Sequence, residues 1–130
     1  VTEQVRRKML HHCIVQLPYE ACGLLSGKDW RATTLWTMDN VEKSPISFAM
    51  DTKQIEAVFG EMKKKGEELI GIYHSHPTAP PYPSHLDIAY AAYPDAAYII
   101  VSLSGKSPEI GCFRIQNRQV TVWPWQTVIT

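Results

Sequence analysis

LIGIYHSHPTAPPYPSHLDIAYAAYPDAAYIIVSL, residues Leu69–Leu103, decides the fold. It opens on a short apolar run, Leu69–His74, which reads as a buried strand. Pro77, Pro80, Pro81 and Pro83 follow. Each fixes φ and lacks an N–H, so this loop is stiff and is neither helix nor central strand. Ser84 starts a short helix running to about Ala92, and Tyr98–Leu103 returns as a second apolar strand. Strand, stiff loop, helix and strand together place the stretch in the α/β class.

Outward from this core, toward the start, Asp51 or Thr52 caps a helix whose apolar face is Ile55, Val58, Phe59 and Met62, with Gly66 ending it. Before it, Cys22–Ser26 and Arg31–Met38 read as strands joined by a turn at Gly27–Asp29, and a polar loop through Asn40 and Pro45 leads to Phe48. Thr2–Leu17 is an amphipathic helix: Val5, Met9, Cys13 and Leu17 share one side, Arg6, Arg7 and Lys8 the other, and Pro18 stops it. Toward the end, Glu109–Ile115 and Gln119–Trp123 are strands, set off by turns at Ser104–Pro108 and Asn117–Arg118. The expected architecture is α/β: one domain over residues 1–130, a mixed sheet flanked by helices, without repeats.

Composition narrows the function. A chain of 130 residues fits one domain and buries roughly two-thirds of its unfolded surface, enough for a core without disulfides. Thirteen basic residues balance thirteen acidic ones, and the strongest basic cluster is only Lys63–Lys65, which argues against nucleic-acid binding. The longest apolar run, Ala96–Val101, is far short of the roughly 20 residues of a membrane span. Thr2–Lys8 is too polar to open a signal peptide. Three cysteines (Cys13, Cys22, Cys112) without a C-x-x-C suit buried thiols in a reducing cytoplasm better than a disulfide framework or a thiolate zinc knuckle. A homodimer is compatible with these features.

Chemistry concentrates in His74-Ser75-His76 and Asp87. On an extended segment the two histidines point to one side, at the end of the buried strand. Two imidazoles and a carboxylate leave a fourth tetrahedral position for water, as in catalytic rather than structural zinc sites. Each piece also has a plainer reading. Histidines two apart are common as packing or surface residues, and Ser84-x-x-Asp87 is also a helix capping box that competes for the same carboxylate. Glu20, on the turn entering the first strand, is either an exposed flanking acid or a general base. Ser75 points to the opposite face and reads as structural; His11, His12 and His85 read as surface or packing residues.

The joint pattern resembles the JAMM (JAB/MPN) metalloprotease family. His74-Ser75-His76-Pro77, six residues, then Ser84-His85-Leu86-Asp87 matches its HxHP…SxxD motif without a gap. Pro18-Tyr19-Glu20-Ala21-Cys22-Gly23-Leu24-Leu25-Ser26-Gly27 is similar to the P-x-E-x-C-G-L-L-x-G segment of small bacterial members, and Gly71-Ile72-Tyr73 is likewise typical. The resemblance implies zinc (Zn2+) on His74, His76 and Asp87, with Glu20 activating the zinc-bound water and then protonating the leaving amine. It also implies Ser84 as donor to the developing oxyanion. The substrate it implies is an amide bond after the C-terminal Gly-Gly of a ubiquitin-like sulfur carrier protein, free or in a conjugate. An extended tail is expected to add a strand beside a sheet edge near the site. The chain is short between Asn40 and Leu69 and at Ser104–Pro108, where deubiquitinating members carry insertions, so linkage-specific grip on ubiquitin chains is not expected. Two other readings stand beside this one: a zinc peptidase or amidase for small peptides or cell-wall fragments, and a non-catalytic interaction scaffold. A cytidine deaminase is excluded, because no P-C-x-x-C follows the histidines.

Overall fold

The computed structural model describes residues 1–124. Its elements run α1 (Glu3–Val15), β1 (Cys22–Lys28), β2 (Arg31–Met38), α2 (Thr52–Lys64), β3 (Glu68–His76), α3 (His85–Tyr90), β4 (Ala97–Ser102), β5 (Glu109–Gln116) and β6 (Gln119–Val122). The strands form one six-stranded sheet in the order β2-β1-β3-β4-β5-β6. Only β3 and β4 pair in parallel; α3 lies on the crossover between them, and the other neighbours are antiparallel. The expected mixed sheet with helices is therefore the observed one.

Alternation along the strands divides the core in two. On one face Ala21, Leu25, Tyr73, Ile99 and Val101 pack against Val5, Met9 and Cys13, the apolar stripe of α1. On the other, Cys22, Leu24, Ile72 and Tyr98 pack against Met62, Ile55, Val58 and Phe59 of α2 and Ile88 of α3. Thr2 caps α1 and Asp51 caps α2, each side chain accepting a first-turn N–H. All three cysteines are free and buried.

The structure differs from the sequence reading in three places that matter. The turn between β1 and β2 sits at Asp29–Trp30, both at positive φ, while Gly27 lies in a register shift of the strand. A Cβ there would overlap the Arg31 carbonyl, so Gly27 serves close approach rather than the turn. The third strand does not stop at His74 but runs through His76, because β4 continues alongside it to the His76–Ser102 pair. Finally, α3 ends at Tyr90 rather than near Ala92: the Tyr98 hydroxyl accepts both the Ala92 and Tyr93 N–H groups, at 3.0 and 2.9 Å, and turns the chain toward β4.

Gly23 is a second point of close approach in the sheet. A Cβ there would overlap the ring of Tyr73, which is fully buried on β3 and held at its hydroxyl by His12 Nδ1 at 2.7 Å. Gly23→Ala is expected to lower unfolding free energy by about 1–3 kcal/mol through overpacking. Urea unfolding checks this, and an unchanged midpoint would mean that the ring moves aside freely.

A buried histidine–aspartate triad at the end of the parallel strands

His74 and His76 are the last pair of β3 on the sheet face of Ile72, and both are buried (1% and 3% exposed). The proline-rich loop then reverses the chain and brings α3 back over the strand end. Its first turn carries Asp87, so residues thirteen and eleven apart in sequence meet: Asp87 Oδ2 lies 3.0 Å from His74 Nε2 and 3.1 Å from His76 Nε2. The two Nε2 atoms are 3.1 Å apart. Among the described residues this is the group of His, Cys, Asp and Glu side chains able to converge on one ion.

The donor set fits a metal. Two ligands about 2.0–2.2 Å from a tetrahedral zinc are roughly 3.3–3.5 Å apart, a few tenths of an ångström wider than the distances here. His76 Nδ1–H donates to the Pro80 carbonyl at 2.8 Å, so that when the ring is neutral the lone pair is on Nε2, toward the triad. His74 is oriented by packing instead: the Phe48 ring stacks on it at 4.6 Å between centroids, 27° from parallel. Three atoms able to act as ligands lie within 3.1 Å of one another, an arrangement that one cation can answer at once.

The capping box and the histidine contacts of Asp87 coexist in one arrangement. Ser84 caps α3 by accepting the Asp87 N–H at 3.1 Å, while Asp87 Oδ2 accepts the Ser84 N–H at 2.9 Å and still faces both imidazoles. The cap fixes the carboxylate instead of withdrawing it. Ser84 Oγ accepts in this bond, so its own O–H is still available to donate. Ser75 is structural: its hydroxyl accepts the Ala21 N–H at 2.8 Å.

Glu20 reaches the site through strand register. Cys22 pairs antiparallel with His74, and Ser75 N–H donates to the Ala21 carbonyl at 3.0 Å. One further step along the register sets Glu20 opposite His76, on the same face as Cys22. It is 4% exposed, and its Oε1 has no hydrogen-bond partner among the described residues. Burial raises its pKa to about 8, and the nearby Asp87 and Glu42 charges add to this against the opposing effect of His76. Burial also favours neutral His74. At Asp87 burial acts upward, but hydrogen bonds from the two histidines outweigh it and hold the carboxyl far below the usual range. A neutral-favouring acid beside an ionised one is the division expected of an acid–base site.

Three contributors have no signature in the sequence reading: Phe48 on His74, Pro80 on His76, and a cavity of about 630 Å³ beside the triad. The cavity is largely apolar, with Phe48, Met50, Ile55, Tyr93 and Tyr98 in its wall and His74 and Asp87 at its edge. Phe48 and Pro80 stand in irregular segments, where no periodicity marks a residue that faces inward. His85 is exposed, and His12 packs edge-on against Tyr73 away from the triad.

Glu20 also carries a stability cost whose sign can be worked out. With a folded pKa near 8 and an ordinary unfolded value of 4.5, the folded state holds one more proton between those limits, so stability falls as pH rises. In metal-free protein, the stability gained by Glu20→Gln over wild type is expected to grow by up to about 1.4 kcal/mol per pH unit between pH 5 and 7.5. Unfolding curves across that range check it, and a pH-independent difference would mean that Glu20 is ionised throughout.

The sequence is 34% identical over 123 residues to the CysO-cysteine peptidase of Mycobacterium tuberculosis, covering 92% of this chain and 84% of that one. It is 33% identical over 92 residues to the desampylase of Haloferax volcanii, covering 68% of this chain and 66% of that one. The solution structure of protein DSY2949 from Desulfitobacterium hafniense superposes with a TM-score of 0.86 at 31% identity, over 99% of this chain and 90% of that one. Residues 2–117 match the family described as prokaryotic homologs of the JAB domain (Prok-JAB), and the chain belongs to that family.

Proposed function

We propose that the protein is a zinc-dependent peptidase that hydrolyses the amide bond after the C-terminal Gly-Gly of a ubiquitin-like sulfur carrier protein. The observation that carries the reading is the convergence of His74, His76 and Asp87 with a buried Glu20 whose Oε1 has no hydrogen-bond partner among the described residues, on the same sheet face. The relatives named as CysO-cysteine peptidase and desampylase support the reaction class. An intact triad and acid favour an enzyme over a non-catalytic scaffold. A small-peptide amidase differs only in needing no folded carrier.

In this reading His74, His76 and Asp87 hold zinc, which when bound supplies the Lewis acidity that makes water a nucleophile at neutral pH. Glu20 takes the proton of the attacking water and passes it to the leaving amine. Its carboxyl ionises more readily when positive charge sits on the neighbouring triad, which brings a group raised to about 8 into working range. The Ser84 O–H donates to the developing oxyanion. Because β3 lies inside the sheet, between β1 and β4, a substrate tail at the triad runs beside the 40–50 loop and the apolar cavity rather than pairing with β3 itself. Three buried free cysteines favour the cytoplasm as the setting. The sequence is read as a single domain, with which a homodimer is compatible.

Zinc-loaded protein is expected to cleave a sulfur carrier bearing a Gly-Gly–cysteine or Gly-Gly–peptide extension, with products identified by mass spectrometry. Glu20→Gln is expected to keep its zinc and lose about 10²–10⁴-fold in turnover, whereas unchanged turnover would remove Glu20 from the mechanism. Asp87→Ala is expected to lose zinc on dialysis, and full occupancy would leave that carboxylate only its cap. Cleavage of tail peptides but not of the intact carrier would select the amidase.

A further inference from the structure

Asn40 stands in the loop between β2 and α2, half-buried, and uses its whole side-chain amide. Nδ2 donates to the Glu20 carbonyl and to the Ser47 carbonyl, both at 3.0 Å. Oδ1 accepts the Glu42 N–H at 3.1 Å and the Ala49 N–H at 3.2 Å. Two donors and two lone pairs are all spent. Ser47 and Ala49 are the neighbours of Phe48, the residue stacked on His74. The Glu20 N–H also goes to this loop, donating to Ser44 O at 2.9 Å. Both backbone polar groups of Glu20 are thus held by the 40–50 loop, and one amide joins that hold to the segment presenting Phe48.

We propose that Asn40 is a positioning residue for the hydrolysis: it locks the Glu20 backbone to the Phe48 segment, so that the Glu20 carboxylate and the His74 ring keep one fixed relation. The proposal rests on the reading of Glu20 as the base. Fixed placement matters because a misplacement of about 1 Å in a reacting group can cost on the order of 10²-fold in rate. A purely structural asparagine would stabilise the loop without acting through Glu20, and a double-mutant cycle separates the two.

The experiment measures kcat, KM, zinc content and thermal midpoint for Asn40→Ala and Asn40→Asp, alone and with Glu20→Gln, on the Gly-Gly-extended carrier. Asn40→Asp keeps the acceptor bonds to Glu42 and Ala49 but sets a charged oxygen against the Glu20 and Ser47 carbonyls, whereas Asn40→Ala removes the amide without adding charge; the thermal midpoint shows that each variant compared is folded. Each single variant is expected to bind zinc fully and lose about 10–100-fold in kcat, with KM changing less than about threefold. Combined with Glu20→Gln, neither is expected to slow the reaction further. Multiplicative losses in the double variants, an effect confined to KM, or wild-type kcat in both single variants would overturn the proposal. A Glu20→Gln protein of undiminished turnover overturns the base assignment itself, and that single variant shows it before the cycle is closed.

Discussion

The contact on which the site depends is a short one between two strand ends. Ser75 N–H donates to the Ala21 carbonyl and Ser75 Oγ accepts the Ala21 N–H, at 3.0 and 2.8 Å. With the Cys22–His74 pair beside it, this sets the register of β1 on β3. A slip of one residue would turn every side chain of the strand to the opposite face. Glu20 would then leave the face of His74 and His76 for the packed face under α1, and Tyr73 would lose the space that Gly23 leaves it. The serine between the histidines touches none of the reacting groups, yet it aligns the acid with the triad.

The parallel pairing of β3 and β4 does the other half. A parallel pair needs a crossover, and here that crossover contains the proline loop and α3. Prolines that cannot join the sheet hold the loop off the strand ends, while Pro80 presents its carbonyl to His76. The helix is only six residues long and has no buried residue of its own. So short a helix is poorly stable alone, and its place is set by the Ser84–Asp87 cap, by Ile88 packed against the α2 side of the core and by the Tyr98 hydroxyl that ends it. Capping, ordinarily a matter of helix stability, here aims a carboxylate.

What was legible in the sequence follows from this. Elements with one buried face, such as α1 with Val5, Met9 and Cys13 and the Arg31–Met38 strand, could be read, although Leu17, read as the last member of the α1 repeat, lies past the helix end at Val15 and is exposed. The histidine pair could be read because strand alternation is local, and Asp87 because Ser84-x-x-Asp87 marks a helix start. Glu20 could not be placed by local rules. Its approach to His76 depends on pairing across more than fifty residues, and only the family resemblance pointed to it. Phe48 and Asn40 were less accessible still, since they sit in a segment without repeating structure and act through contacts made after the sheet has formed. The ends of β3 and α3 were misjudged for the same reason: a neighbouring strand extended one and a distant tyrosine shortened the other.

A site built this way opposes the fold that holds it. Two imidazoles, two carboxyls and their hydrogen-bonding demands are buried in a domain whose net stability is a small difference of large terms. Pro80 answers part of that demand at His76 and Ser84 answers part at Asp87, but His74 Nδ1 and Glu20 Oε1 are buried without partners among the described residues. Buried polar groups in that condition cost about 1–3 kcal/mol each. They persist because the surrounding structure over-determines their positions: Phe48 covers His74, the 40–50 loop holds the Glu20 backbone from both sides, and the β1–β3 register fixes both. The fold thus spends packing and hydrogen bonds to keep acid, imidazoles and carboxylate close together and poorly solvated. That condition raises the affinity of Glu20 for a proton and leaves the triad with a donor set that fits a cation.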